Sequence, residues 1–419
     1  MRLRRMRGFN RLTKVDYAQS IIMDRCGDDF RETEVVGVRE AWGRVLEEDV
    51  VSTVNVPPFD RSAVDGYAII SINSFSASKS NPAVFKVTGV SEAGSAMGKI
   101  AAGESHEIYT GAQVPKGADA VVMAEDCERK GNELLVFKAA PKFANISQMG
   151  EDMQKGSIVL ERGELLRPWH VGILASIGRG EVAVRKKPVV GIFSTGSELA
   201  DISCGKPTEG RTTDSTRPMI VGLVKELGCD TLDGGIVEDD LGKICVKIEE
   251  LARAADMVVS IGGTSVGGKD LVPEAFQSLK GSRLEFHGLA IKPGKPAGFG
   301  LLGRKPFFML PGYPVSALIG YELLIMPLLS RWKGRKPTER KRVKAILTRR
   351  VPTTPGIRHF LRVILEKKDE VLYAAPIAIT GSGLLSSITN ADGLVVVGEE
   401  LEGLEEGEVV DVELLKELS

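Results

Sequence analysis

Residues 257–270 read MVVSIGGTSVGGKD, an apolar, β-branched run followed by a loop with four glycines in the eight residues from Ile261. An uninterrupted apolar run of this length reads as a strand covered on both faces, as in a parallel sheet between helical layers. The same texture recurs at PVVGIFST (188–195) and PFFMLPG (306–312), with a further strand expected over 231–237. Helical spacing predicts helices over 219–227, 241–254 and 315–329. Strands alternating with helices mean βαβ units and a parallel-rich sheet across 187–330. Such sheets bind ligands beyond the carboxyl ends of their strands, where this sequence places its glycines and polar residues.

Outward from that core the rhythm changes. Residues 13–31 carry apolar residues at helical spacing (Val15, Ala18, Ile21, Ile22), and a second helix-like element is expected over 38–45. Residues 50–150 show short β-branched runs at 84–90, 120–123 and 134–137, punctuated by Gly, Pro, Asn and Ser, which indicates a compact β-rich domain. A strand and the apolar helix 171–177 follow, and they are expected to rejoin the first helices. RWKGRKPTERKR (331–342) reads as a charged linker in which Lys333 is an ordinary surface lysine. Residues 341–419 read as short strands with Gly/Pro turns, a small β-barrel or sandwich.

Composition narrows the function. A formal charge of −1 over 419 residues argues against a general nucleic-acid binder, which needs a basic excess to neutralise phosphates. Arg2, Arg4, Arg5, Arg7 and Arg11 crowd the start and acidic residues the end, read as solvated termini. No stretch reaches the about 18 uninterrupted apolar residues of a membrane helix, because Ser316, Glu322 and Pro327 interrupt the most apolar one. The start also lacks a signal-peptide core. Cys26, Cys127, Cys204, Cys229 and Cys245 are scattered without a CxxC, so neither a disulfide scaffold nor a structural zinc site is expected, and the compartment reads as reducing and cytoplasmic.

Several loops carry candidate chemistry. GGTSVGGKD (262–270) suits close approach to a phosphate or pterin, with Gly262 and Gly263 at the turn, Thr264 and Ser265 as hydroxyl donors and Asp270 as a hard-metal ligand. It lacks the P-loop spacing. In STGSEL (194–199) a strand stops and a helix is expected to begin, placing Glu198 near the first turn as a cap or a ligand-facing carboxylate. AIKPGKP (290–296) holds Lys292 and Lys295 between prolines, a rigid cationic pair suited to an oxyanion. LPGYPVSAL (310–318) offers Ser316 and free amides at a helix start. PPFDRSAVDGYA (57–68), TGAQVPKGADAVV (110–122), GEDMQKG (150–156) and TGSGLLSS (380–387) read individually as turns or connections, although Ser382 could meet a ligand. Anion-ready loops with dispersed carboxylates, and no Ser-His-Asp or Cys-His arrangement, suggest metal-assisted phosphate chemistry. Mg²⁺ fits because hard oxygen ligands abound.

The ordered set resembles the MoeA/gephyrin family of molybdopterin molybdenumtransferases. PPFDRSAVDGYA, TGAQVPKGADAVV, GEDMQKG, STGSEL, DSTRPMI (214–220), GGTSVGGKD, AIKPGKP, LPGYPVSA and GSGLLSS follow the family's order over roughly residues 12–400. The resemblance implies an α/β multidomain chain. Its parts are an elongated discontinuous domain (1–48 and 149–185), an inserted β-rich domain (49–148), a MogA-like α/β domain (186–332) and a C-terminal β-barrel-like domain (333–419). It implies a homodimer whose active site is shared between subunits, with a molybdopterin adenylyltransferase as upstream partner. It also implies insertion of molybdate into adenylylated molybdopterin, with Mg²⁺, to give molybdenum cofactor and AMP.

Residue by residue, the resemblance carries over to Asp65, Glu198, Asp239, Asp270 and Lys292 as catalytic groups, with Glu198 and Asp270 holding metal. For Asp239, a one-residue shift would substitute Asp240. Thr110, Asp152, Gly262, Gly263, Thr264, Ser265, Lys295, Pro311, Ser316 and Ser382 are expected to bind the pterin substrate. Ser197, Tyr313 and Gly288 depart from residues that relatives often carry. A tungstate-inserting version of the enzyme is the main rival. A molybdopterin adenylyltransferase would need only the α/β domain, and a scaffold like gephyrin would need added segments.

Overall fold

The computed structural model describes residues 12–28, 30, 32–205, 209–264, 271–335, 339–377 and 383–417. The chain divides into two compact units, one of residues 33–184 and one of residues 1–32 with 185–419.

The larger unit is built on a six-stranded sheet. Its order is Asp230–Val237, Val189–Thr195, Met257–Ile261, Lys305–Leu310, Gly298–Leu302, Ser282–His287. The first four strands are parallel and the last two antiparallel, so the sheet is parallel-rich as expected. Side-chain alternation divides its core. Val190, Ile192, Val259 and Phe308 face one layer, whereas Phe193, Val258 and Phe307 face the other. Helix Leu241–Ala254 covers the second face through Ile244, Ile248 and Leu251, beside Phe276, whose ring stacks on Phe307 at 4.5 Å. The first face is covered by helices Thr216–Glu226 and Pro314–Gly320 and by Val15–Cys26, whose Val15, Ala18, Ile22 and Cys26 join this core.

The helix expected over 315–329 runs from 314 to 332, with a π-helical stretch at Tyr321–Ile325. It is long and apolar enough to cross a bilayer, but 72% of its most apolar window is buried inside the fold, where it forms core.

The C-terminal segment closes into a five-stranded barrel. Arg358–Lys368 pairs with Val371–Pro376, then Arg342–Leu347, Val409–Leu414 and Gly393–Val397 follow, and the last pairs back with Arg358–Lys368. Each of these five strands pairs on both sides around the core of Leu347, Val363, Val395 and Val412. One element of the α/β domain, Ile291–Lys292, adds to Arg358–His359 as an outer strand.

The smaller unit contains the β-rich sheet, ordered Ala120–Met123, Gly66–Ile69, Glu104–Ile108, Ala83–Ser91, Glu133–Val136, Cys127–Lys130. A second small core joins Leu46, Val50, Leu160, Leu166 and Leu174. The helix expected over 38–45 shortens to a 3₁₀ turn, Val38–Glu40, since Gly43 sits at φ 76°, outside helical space.

Lys333 is not a surface residue. It is 6% exposed, and its ammonium donates to the Leu227 carbonyl at 2.7 Å and the Gly228 carbonyl at 3.1 Å. These carbonyls close the helix Thr216–Glu226, where orphan acceptors and the helix dipole both favour a cation. Lys333→Ala should therefore destabilise the protein by about 1–3 kcal/mol, the cost of stranding buried acceptors. An exposed control such as Lys280→Ala should fall within about 0.5 kcal/mol of wild type. Urea denaturation of both variants checks this, and equal midpoints would return Lys333 to solvent.

Candidate active site

The parallel strands ending at Thr195, Ile261 and Leu310 open at their carboxyl ends into a cleft of about 900 Å³. One side is the α/β domain and the other is the barrel, both within the larger unit.

The glycine loop forms part of the floor. Gly262 (φ 87°) and Gly263 (φ 59°) take left-handed backbone that other residues rarely adopt. A Cβ on Gly262 would lie 2.5 Å from the Thr195 carbonyl oxygen, and one on Gly263 2.8 Å from Thr195 Cγ2. The loop thus passes against the end of the neighbouring strand. Thr264, 2% exposed, is anchored by His287 Nε2, which donates to its carbonyl at 2.8 Å. Ser265 and Asp270 lie outside the described residues, as does Ser382.

The lysine loop forms the facing wall. Pairing with the barrel sets Ile291 beside Arg358 and Lys292 beside His359. Gly294 (φ 111°) folds the loop back so closely that a Cβ there would meet Ile291 Cδ1 at 2.6 Å. Lys292 and Lys295 are exposed and line the cleft, and Lys292 is in no ion pair among the described residues. Pro311 and Ser316 line it from the start of helix Pro314–Gly320, as does Tyr313, which is 63% exposed.

The barrel contributes His359 and Arg362, both buried and both lining the cleft. The Thr354 amide donates to His359 Nε2 at 3.3 Å, so the neutral ring carries its proton on Nδ1. Burial, and then the Lys292 ammonium, hold the His359 pKa below the ordinary histidine value. Burial likewise lowers the Arg362 pKa, and this guanidinium donates to Ser387 Oγ at 2.8 Å. A His and an Arg within the largely apolar strand RHFLRVIL were the available signal, but their burial and facing direction could not be read from sequence.

The STGSEL loop departs from expectation. No helix follows it. Leu199–Ala200 pairs instead with Thr212–Thr213, and a 3₁₀ turn covers Ile202–Cys204. Glu198 therefore caps nothing. It is exposed to the cleft, with its carboxylate folded over Gly196, where a Cβ would lie 2.7 Å from Oε1. Geometry also separates the two neighbouring acids. Asp240 caps helix Leu241–Ala254 by accepting from the Lys243 amide at 2.8 Å. Asp239 accepts from Thr195 Oγ1 at 3.0 Å and from the Ser197 amide at 3.1 Å, bracing the loop behind Glu198 without lining the cleft.

Arg217, absent from the expected site residues, organises the same rim. Only 6% of its side chain is exposed, and it bonds Asp214 (3.0 Å), Asp201 (2.5 Å) and Asp233. Burial alone would lower its pKa, but the bonds to Asp214 and Asp233 outweigh this and hold it above its ordinary value. One guanidinium thereby pins Asp214, which lines the cleft, and the strand pair beside it.

A second cluster forms in the smaller unit, from three motifs distant in sequence. Asp65 Oδ1 accepts from the Thr110 amide and hydroxyl, each at 2.7 Å. These bonds, the amide first, hold the Asp65 pKa below the ordinary value. The GEDM turn docks onto the same segment, with the Asp152 amide donating to the Val56 carbonyl at 3.1 Å and the Met149 amide to Asp60 at 2.8 Å. Asp152 keeps its side chain exposed. Asp65, Thr110 and Asp152 thus belong to one unit, and Glu198, Lys292, Lys295, Pro311 and Ser316 to the cleft of the other.

Two titrations test these placements. Lys292→Ala should raise the His359 pKa while burial keeps it below the ordinary value, read by NMR of the ring protons; no change would move Lys292 away from His359. Thr110→Val removes one of two donors and should raise the Asp65 pKa part of the way to normal. With its folded pKa depressed, Asp65 contributes stability above the ordinary carboxylate range and loses it as pH falls through the folded value. That loss should be smaller and complete at a higher pH in Thr110→Val, and carboxyl NMR decides it.

Comparison with known proteins covers the whole architecture. Family profiles match in order: "MoeA N-terminal region (domain I and II)" over residues 13–178, "Probable molybdopterin binding domain" over 191–331 and "MoeA C-terminal region (domain IV)" over 344–415. The molybdopterin molybdenumtransferase of Bacillus subtilis is 32% identical over 392 residues, covering 92% of this chain and 90% of its own. That of Haemophilus influenzae is 33% identical over 387 residues, 91% of this chain and 94% of its own. Two crystal structures of the molybdopterin biosynthesis moeA protein from Pyrococcus horikoshii match with TM-scores of 0.81 and 0.76. Both are 34% identical and fully covered, and they span 97% and 96% of this chain. On this evidence the chain belongs to the MoeA family.

Proposed function

We propose that this chain is a molybdopterin molybdenumtransferase, which inserts molybdate into adenylylated molybdopterin and releases AMP. The observation that carries the reading is the cleft itself, where Lys292 and Lys295 face a loop of closely approached backbone at the strand ends. Molybdate is a dianion and the adenylylated pterin is also negative, so bringing them together opposes Coulomb repulsion. At an effective dielectric of ~20, a unit pair at ~4 Å is worth about 4 kcal/mol, so a held ammonium offsets much of that repulsion. Prolines on either side limit the lysine loop's freedom and hence the entropy lost on binding.

Mg²⁺ suits the donors. Among the described residues no three His, Cys, Asp or Glu side chains gather as a metal group, but Mg²⁺ is commonly held by one or two carboxylates plus substrate phosphates and water. Glu198 would supply one carboxylate and Asp270 the second, and the ion would neutralise phosphate charge. Lys292 and Lys295 bind and orient the oxyanion. The left-handed glycine pair lets backbone approach the substrate, and Asp239 holds the Glu198 loop through Thr195 and Ser197. An adenylyltransferase would not need the segments on either side of the α/β domain, over which the relatives also align.

The protein acts as a cytoplasmic homodimer, receiving its pterin from a molybdopterin adenylyltransferase. Asp65, Thr110 and Asp152 of one subunit complete the cleft of the other. Exposed tryptophans support a partnered surface on the smaller unit: Trp169 (66%) lies on helix Pro168–Ser176, which packs against Val38–Glu40, and Trp42 (64%) lies in the turn that follows Val38–Glu40.

Cofactor formation by the purified full-length protein, with molybdate and with tungstate, tests the reading. Glu198→Gln should lose at least about tenfold in rate, a change of roughly 1.4 kcal/mol. Lys292→Ala should raise half-saturation by molybdate about tenfold or more, unlike Lys280→Ala. Mixed Asp65→Asn and Glu198→Gln proteins should regain activity that neither has alone. Wild-type rates in these variants would remove the cleft from the chemistry, and a fully active monomer would remove the shared site.

A further inference from the structure

The cleft contains a hydroxyl that the fold leaves unused. Ser194, on the last turn of pleat before the strand Val189–Thr195 ends, is fully buried, and its Oγ has no hydrogen-bond partner. By alternation it follows Val190 and Ile192 on the face covered by helices Thr216–Glu226 and Pro314–Gly320. An aliphatic residue would continue that core. Serine instead lines the cleft floor.

Its neighbours are already committed. Thr195 Oγ1 donates to Asp239 at 3.0 Å and Thr216 Oγ1 to the Gly312 carbonyl at 2.7 Å. A buried hydroxyl without a partner is destabilising, so its presence at a ligand cleft points to a partner that arrives with the ligand. The cleft is also divided in charge. Its cations, Lys292, Lys295 and Arg362, come from the lysine loop and the barrel, whereas the side of the strand ends carries the carboxylates of Glu198 and of Asp214, the latter paired with Arg217, and the buried neutral hydroxyls of Ser194, Thr195, Thr216 and Ser316. An anionic group belongs with the cations. A neutral donor and acceptor belongs with a ring edge bearing N–H and C=O groups.

We infer that the Ser194 hydroxyl is a specificity-determining contact for the uncharged heterocyclic end of the substrate, bonding it at the cleft floor while the lysine wall holds the oxyanion. This rests on the pterin-substrate reading proposed above. Ser330 provides an internal control. It is equally buried and its Oγ is equally unpartnered, but it lies outside the cleft.

The test is a pair of variants of the full-length protein, Ser194→Ala and Ser330→Ala, measured for thermal midpoint without ligand and for binding of free pterin and of molybdate by calorimetry. Both should match or exceed the wild-type midpoint, because each loses an unsatisfied group. Only Ser194→Ala should weaken pterin binding, by about tenfold, the loss of one hydrogen bond to a ligand group then left unpaired. Its molybdate binding should stay at the wild-type level. Equal pterin affinity in Ser194→Ala and wild type overturns the inference, as does absence of pterin binding by the wild type. A lowered midpoint in Ser194→Ala alone also overturns it, since the hydroxyl would then have an internal role. Failure of the wild type to bind molybdate counts instead against the proposed function.

Discussion

The pairing of Ile291–Lys292 with Arg358–His359 is the contact on which the cleft depends. Two residues of the α/β domain become the outer strand of a closed barrel, and the Arg358 amide donates to the Ala290 carbonyl at 2.9 Å. Each such bond contributes only about 1 kcal/mol, but together they set a register. That register places the lysine wall opposite the strand ends and carries His359 and Arg362 into the cleft. The cores merge behind it, with Phe360 and Leu394 of the barrel packed into the cluster that holds Val190 and Ile192. A one-residue slip would turn His359 to the other face of its strand.

Around this frame the polar groups are held before any ligand arrives. Asp239 spans Thr195 and Ser197, Arg217 spans three aspartates, and His359 has one ring nitrogen engaged by the Thr354 amide. Groups fixed in this way need little reorganisation when charge gathers in the site, which is how electrostatic catalysis gains most. The buried Arg217 is a structural commitment of the same kind. Removing it would leave the nearly inaccessible Asp214 carboxylate without its guanidinium, a far larger penalty than losing a surface pair. The smaller unit shows the same logic, with two donors from Thr110 fixing one oxygen of Asp65.

Much of this was legible in the residues alone. Apolar runs at 188–195, 257–261 and 306–310 declared strands covered on both faces, because only such strands dispense with alternation. The helix over 241–254 was equally plain from its spacing and matches the observed bounds. The glycine pair at 262–263, the prolines around Lys292 and Lys295, and the ordered series of motifs located the cleft and the family, since backbone geometry of this kind is written in residue type.

What escaped the sequence depends on contacts between distant segments. STGSEL looked like a helix start because its local composition suits a cap, but pairing between 199–200 and 212–213 claimed the chain instead. Lys333 looked like a surface residue in a basic run, and only the fold brings the carbonyls of 227 and 228 to its ammonium. The different partners of Asp239 and Asp240, Thr195 for one and the Lys243 amide for the other, were equally out of reach of the sequence. Arg217 and the unpartnered Ser194 carry no local mark of function, and His359 and Arg362 carry only that of polar residues in a largely apolar strand. Their roles come from burial, direction and the absence or presence of a partner, quantities that exist only once the chain has closed on itself.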